Sequence, residues 1–225
     1  MSGSVRAVVF DLDGTLVDSM PLVLRAYAHA LQPFYPNLTD EEITARLGGP
    51  PERMFAEMLV EPECAETALR RLKECSLANW KLIRPFTGMA ALLADLRAAG
   101  CASAIWTGRE RESAEWLLRE HGIAPQVQTF VCGDDLATHK PDPAGLAEVL
   151  HRLDVPVGET LFVGDADVDV LAGAAIGVRT LLIHHGRPLD ATVRAKAWRV
   201  AVSPSEAYAI VRGELPPQRS VVAGG

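Results

Sequence analysis

Four short segments of this 225-residue chain gather side chains suited to chemistry on anionic oxygen. Asp11-Leu12-Asp13-Gly14-Thr15 sets two carboxylates two residues apart. Thr107-Gly108-Arg109 offers a hydroxyl beside a glycine, and Lys140-Pro141-Asp142-Pro143 offers a lysine. Gly164-Asp165-Ala166-Asp167-Val168-Asp169 adds further carboxylates. A positioned carboxylate can act as nucleophile, acid or base. Several together can hold a hard cation, which takes oxygen ligands. Lysine and threonine can hold the oxygens of an anion. In extended chain Asp13 would share a face with Asp11, and Gly14 lets the backbone turn sharply.

These segments need elements to position them. Residues 5–10 (VRAVVF) form a short apolar, β-branched-rich run that stops at the acidic turn, which predicts a buried strand. Residues 101–106, 127–132, 160–163 and 178–183 predict four more. Helical patterns lie between them: 88–99 closing at Gly100, 110–121 followed by Gly122, and 143–153 opened by Asp142 as N-cap and Pro143 in the first turn. Ser203-Pro204-Ser205-Glu206 reads as a capping box for a last short helix. Alternating strand and helix implies an α/β fold with a parallel sheet covered on both faces. From about Pro21 to Arg84 the patterns are helical only, with a capping box at Thr39-Asp40-Glu41-Glu42 and a turn at Gly48-Gly49-Pro50-Pro51. Ligands bind beyond the carboxyl ends of parallel strands. The four segments follow four strand ends there and bring four acids, a hydroxyl and a lysine to one rim.

Phe10-Asp11-Leu12-Asp13-Gly14-Thr15-Leu16-Val17-Asp18-Ser19 resembles the first signature of the haloacid-dehalogenase superfamily of phosphohydrolases. Thr107 is similar to its second signature, Lys140 to its third, and Gly164-Asp165 with Asp169 to its fourth. Order and spacing agree over residues 5–185. The helical insert resembles the cap that enters after the first signature, in the layout of the phosphoglycolate-phosphatase-like group. The resemblance implies a Rossmann-like parallel-sheet core over 1–17 and 85–225, with a small all-helical cap over 18–84. It implies that Asp11 attacks phosphorus and becomes an aspartyl phosphate, and that Asp13 is the acid and base. Thr107 would hold phosphoryl oxygens, and Lys140 would bridge Asp11 and the phosphate. Magnesium would be held by Asp11, the backbone carbonyl of Asp13, Asp165 and Asp169. Asp167 is read as an acid of the first helical turn. Gly108 and Arg109, with Gly49 and Arg53 of the cap, are expected to bind substrate.

An acid at Asp13 favours phosphoryl chemistry over dehalogenation. Hydrolysis of a small phosphomonoester, phosphoglycolate-like, is the leading expectation. Inorganic pyrophosphate hydrolysis and a β-phosphoglucomutase-like sugar-phosphate mutation are the alternatives, and a non-catalytic binding protein is a fourth. Twenty-nine acidic against 22 basic residues, a net charge of -7, argue against a nucleic-acid partner. With 48% hydrophobic residues the chain can bury a core. No apolar run approaches the ~18 residues of a membrane span, and the apolar run at the N-terminus is too short for a signal peptide. Cys64, Cys75, Cys101 and Cys132 form no C-x-x-C pair and are expected as reduced thiols. The expectation is therefore a cytoplasmic protein acting on a small phosphorylated metabolite. His184-His185 is read as a pair of solvated imidazoles in a strand-end loop. Gly173 and Gly177 are read as a close helix contact.

Overall fold

All four residues of the first apolar run, Ala7–Phe10, are buried, and they form a strand because β-branched side chains pack well on both faces of a covered sheet. The structure, a computed structural model, describes residues 4–47 and 51–216. In chain order the elements are β1 (Ala7–Phe10), β2 (Val17–Asp18), α1 (Met20–Leu31), α2 (Asp40–Thr44), α3 (Pro51–Met58), α4 (Pro62–Asn79) and β3 (Arg84–Pro85). There follow α5 (Met89–Ala98), β4 (Ala102–Trp106), α6 (Arg111–Glu120), β5 (Thr129–Val131) and α7 (Ala144–Leu153). The last are β6 (Thr160–Gly164), α8 (Asp167–Ile176), β7 (Arg179–Ile183), α9 (Ala191–Lys196), β8 (Arg199–Ala201) and α10 (Pro204–Gly213). The chain divides into two compact units, Met1–Val17 with Pro85–Gly225, and Asp18–Arg84.

In the first unit six parallel strands stand in the order β5-β4-β1-β6-β7-β8. The chain runs outward from β1 to one edge, then returns to the other side of β1. That reversal is the switch point beside which parallel sheets bind ligands. Phe10 lies in register with Ile105 on one neighbour and Val163 on the other, so β4 and β6 run one residue past the end of β1. Val9, Ala104, Trp106, Phe162, Leu146, Val149 and Ala172 form one buried cluster between these strands and the helices α7 and α8. Helix α8 comes close to β7 at Gly173, where a Cβ would lie 2.0 Å from Thr180 Oγ1, so the small residue is needed there. On α10, Tyr208 is buried and donates its hydroxyl to the Thr15 carbonyl at 2.7 Å, tying the last helix to the first acidic turn.

The second unit is helical, as its patterning predicts. Tyr27, Leu31, Ile43, Phe55 and Leu59 are buried in its own core. Thr39 and Glu42 form the expected capping box: the Glu42 N–H donates to Thr39 Oγ1 at 3.2 Å, and Glu42 Oε2 accepts from the Thr39 N–H at 2.9 Å. Arg71 forks onto the His29 carbonyl at 3.1 and 2.8 Å, joining α4 to α1.

The structure differs from the sequence reading at β8 and at the start of α7. The sheet has a sixth strand, β8, of three residues at its edge, preceded by the short helix α9. Three residues are too few to show an alternation. Helix α7 begins at Ala144, one residue later than expected, with Pro143 in the cap position and Asp142 Oδ1 accepting from the Ala144 N–H at 2.9 Å. Gly48, Gly49 and Pro50, where a turn is expected, lie outside the described residues. Among the described residues no helix is long and apolar enough to cross a membrane.

Candidate active site

Asp11 follows β1 directly, and its N–H still donates to the Val163 carbonyl at 2.8 Å, so its backbone is fixed by the sheet. Its carboxylate Oδ1 accepts from Lys140 Nζ at 2.7 Å. The same Nζ lies 2.8 Å from Asp169 Oδ1. Lys140 rests over the rings of Trp106 and Phe162, 4.8 and 5.4 Å from their centroids. Aromatic faces attract an ammonium, so the strand floor and two carboxylates together fix its head. Gly145 makes room for that floor: a Cβ there would lie 2.1 Å from Trp106 Nε1.

Asp165 follows β6, across the switch point from Asp11. Asp11, Asp165 and Asp169 each present one carboxylate oxygen, and these oxygens all lie within 4.8 Å of one another. Asp169 is 1% exposed, and its Oδ2 accepts from the Ala166 N–H at 3.0 Å, which fixes the start of α8. Gly14 adopts a φ of 68°, and a Cβ there would lie 2.0 Å from Asp165 Oδ2. Only glycine suits both the left-handed backbone and that approach.

Burial sets the electrostatics of the cluster. It raises Asp11 from its usual 3.8 to about 7, against the pull of Lys140 and with the help of Asp169 and Asp13. Burial likewise holds Asp165 well above the carboxylate range, and Asp11, Asp169 and Asp13 add to the rise. Burial opposes the charge on Lys140, but Asp11 and Asp169 outweigh it and keep the ammonium above its ordinary value. Three crowded carboxylates with one lysine leave negative charge uncompensated. That all-oxygen donor set fits a hard divalent cation.

Asp13 points to a different partner. Both its oxygens accept from Arg109, from Nε at 2.6 Å and from Nη2 at 2.7 Å. Arg109 Nη1 donates to Ser113 Oγ at 3.0 Å, so the guanidinium is held at its far end as well. Burial works against its charge, yet Asp13 and then Asp11 raise it above the usual arginine value. Thr107 is 2% exposed, and its Oγ1 accepts from the Arg109 N–H at 3.2 Å. Gly108 is exposed, with nothing within 4 Å of a Cβ placed on it. Nearby, a Cβ on Gly133 would lie 2.3 Å from the Gly108 carbonyl oxygen.

The structure thus brings Asp11, Lys140, Asp165 and Asp169 together, and pairs Asp13 with Arg109 beside Thr107. Arg53 lies in the helical unit, where it pairs with Glu57 at 2.8 Å and is largely exposed. Gly49 lies outside the described residues. The histidine pair is not simply solvated. His184 Nδ1 donates to the Arg187 carbonyl at 3.1 Å, and His185 Nε2 donates to the Gly14 carbonyl at 2.7 Å. Arg187 in turn donates to the Asp165 carbonyl at 3.0 Å and to Asp167 Oδ1 at 2.6 Å, so Asp167 is turned away from the three clustered carboxylates. His185, Arg187, Trp106 and Tyr208 carry no motif. Their roles arise from contacts between residues far apart in sequence.

Over most of its length the chain is similar to known proteins. The family model described as haloacid dehalogenase-like hydrolase matches residues 8–183. Pyrophosphatase PpaX of Halalkalibacterium halodurans is 29% identical over 180 residues, covering 80% of this chain and 83% of that protein. Phosphoglycolate phosphatase 1 of Pseudomonas aeruginosa is 32% identical over 197 residues, covering 82% of this chain and 72% of that one. A Thermotoga maritima structure, provisionally described as a beta-phosphoglucomutase, shares the fold with a TM-score of 0.79 at 23% identity, over 92% of this chain and 99% of the other.

Proposed function

The chain belongs to the haloacid dehalogenase-like hydrolases, and on that footing we propose that it is a magnesium-dependent phosphatase that hydrolyses a small phosphomonoester through an aspartyl phosphate on Asp11. The observation that carries this reading is the bridge from Lys140 to both Asp11 and Asp169, at 2.7 and 2.8 Å, with Asp165 beside them. A phosphate ester already repels a nucleophile, so catalysis is mostly positioning and charge neutralisation. Asp11 supplies the nucleophile with one oxygen held by Lys140, which leaves the other to form the bond to phosphorus. The ester P–O bond breaks, and Asp13 gives its proton to the leaving oxygen. Asp13, now a base, takes a proton from water, and the resulting hydroxide attacks phosphorus. The Asp11–phosphorus bond breaks, releasing phosphate and restoring the carboxylate. Splitting the reaction in this way replaces one difficult displacement with two easier ones.

Asp11, Asp165 and Asp169, with the Asp13 carbonyl, would hold the magnesium ion. When bound, the ion neutralises charge on the phosphoryl oxygens and on the crowded carboxylates. Thr107 and the backbone of Gly108 would hold phosphoryl oxygens, and Arg109 would meet the substrate's anionic side. Arg53 and Gly49 are the proposed contacts for the group that carries the phosphate. A phosphoglycolate-like ester is the proposed substrate, in keeping with the Pseudomonas aeruginosa relative.

The test is phosphate release from phosphoglycolate, pyrophosphate, sugar phosphates and nucleotides, with magnesium and with chelator. Magnesium-dependent release favouring phosphoglycolate is the expected result. Preference for pyrophosphate would replace the substrate and keep the chemistry. Isomerisation of a sugar phosphate without net phosphate release would replace hydrolysis by mutation.

A further inference from the structure

The turn after β7 takes no part in the chemistry proposed above, yet it reaches both acidic loops. His184 prolongs the sheet, its N–H donating to the Ala201 carbonyl at 2.9 Å. His185 and Gly186 then adopt left-handed φ values of 50° and 77°, which reverse the chain. Arg187 closes the turn: its N–H donates to the His184 carbonyl at 2.8 Å, and its own carbonyl accepts from His184 Nδ1 at 3.1 Å. Two side chains leave this turn in useful directions. His185 stacks on Phe86, with centroids 5.9 Å apart, and donates to the Gly14 carbonyl at 2.7 Å. Arg187 donates to the Asp165 carbonyl at 3.0 Å and is steadied by Asp167 at 2.6 Å. Gly14 and Asp165 are the pair whose close approach already excludes a Cβ from position 14.

We propose that the His184–Arg187 turn is a clamp for the cation site. It grips the backbones of the Gly14 and Asp165 loops and so sets how tightly a divalent cation is held, without touching the ion. The inference rests on the magnesium reading above. Asp11, Asp165 and Asp169 crowd their oxygens within 4.8 Å of one another, and ionised carboxylates at that spacing push their loops apart. A cation opposes that push only if the loops are already held at the right separation. The two donors from one tight turn, one on each loop, hold it from the protein side. Outer partners of this kind typically govern metal affinity by roughly 10–100-fold.

The test is magnesium titration by calorimetry on the full chain, with His185→Leu and Arg187→Ala, and with His185→Gln and Arg187→Lys, which keep a donor. His185 is exposed and Arg187 partly so, so each single substitution carries the test independently. Melting curves in chelator establish that each variant is folded. His185→Leu and Arg187→Ala should each weaken magnesium binding by about 10-fold or more, and His185→Gln and Arg187→Lys should recover part of the loss. The magnesium concentration for half-maximal activity should rise in step, while kcat at saturating magnesium stays near that of the wild type. Wild-type affinity in both folded loss variants overturns the clamp and leaves the magnesium reading standing. A wild-type protein that binds no magnesium overturns both.

Discussion

Arg109 closes a two-pronged ion pair on Asp13, with Nε and Nη2 at 2.6 and 2.7 Å from the two carboxylate oxygens. An Asp13 so engaged cannot deliver a proton to a leaving group until it leaves the fork. An incoming phosphate presents anionic oxygens that compete for the same guanidinium, because arginine suits planar two-point contacts with both. Arg109→Ala should therefore lower kcat/KM by roughly 10- to 100-fold, the scale of one or two charge-assisted hydrogen bonds, with KM carrying more of the change than kcat. Arg109→Lys should fall between, because a single ammonium cannot fork. Steady-state kinetics on the preferred ester decides it, and unchanged kcat/KM in Arg109→Ala would remove the residue from substrate binding.

Asp11→Asn should abolish turnover and leave folding intact, since the site is at the rim of the sheet. Asp13→Asn should lower kcat by about 10²- to 10⁴-fold, the usual contribution of a general acid and base. If dephosphorylation suffers more than attack, intact mass spectrometry of Asp13→Asn should show the chain with one phosphoryl group added. Metal-dependent turnover surviving in Asp11→Asn would end the covalent mechanism.

The raised pKa of Asp11, from its usual 3.8 to about 7, makes a statement about stability. Between those values the folded chain binds a proton that the unfolded chain has lost. Stability then falls as pH rises, because the slope follows the protons bound by the unfolded state minus those bound by the native one. Asp165, raised in the same sense, adds to the fall. The melting temperature of chelated protein should drop between about pH 4 and about pH 7, and saturating magnesium should flatten that drop. A melting temperature that climbs across this window in chelator would contradict the electrostatics of the cluster.

Gly14 and Gly108 should respond differently to an added methyl group. Gly14→Ala places a Cβ in left-handed backbone and 2.0 Å from Asp165 Oδ2. The backbone alone costs about 1–2 kcal/mol, and the displaced carboxylate should weaken magnesium binding. Gly108→Ala meets open space, so its melting temperature should stay at the wild-type value. Thermal melts of both variants test the contrast.

The four strand-end segments were legible because buried parallel strands are continuous apolar runs and the chemistry is polar residues stationed just past them. Asp11, Lys140 and Asp165 could be placed on one rim from type and position, and their expected roles came from the family resemblance. The fork of Arg109 on Asp13 could not, because it joins residues 96 positions apart, and no periodicity records such a contact. His185 and Arg187 were hidden for the same reason, and an adjacent histidine pair reads as solvated when its partner is a distant backbone carbonyl. Strand β8 escaped because an edge strand of three residues, Arg199–Ala201, shows neither alternation nor a buried run. The helical unit was legible from its helical patterns and capping box, whereas the exposed Arg53, paired with Glu57, carries no signal that names a ligand.

Because β1 lies between β4 and β6 and is buried throughout, its amides should exchange hydrogen with solvent only when the whole sheet opens. Asp11, the proposed nucleophile, thus follows directly on a strand protected on both edges and both faces. On the proposed mechanism turnover would not draw on movement of that backbone, and the mobility of each cycle would fall to the Asp13 and Arg109 side chains, which can exchange partners while the strand stays closed.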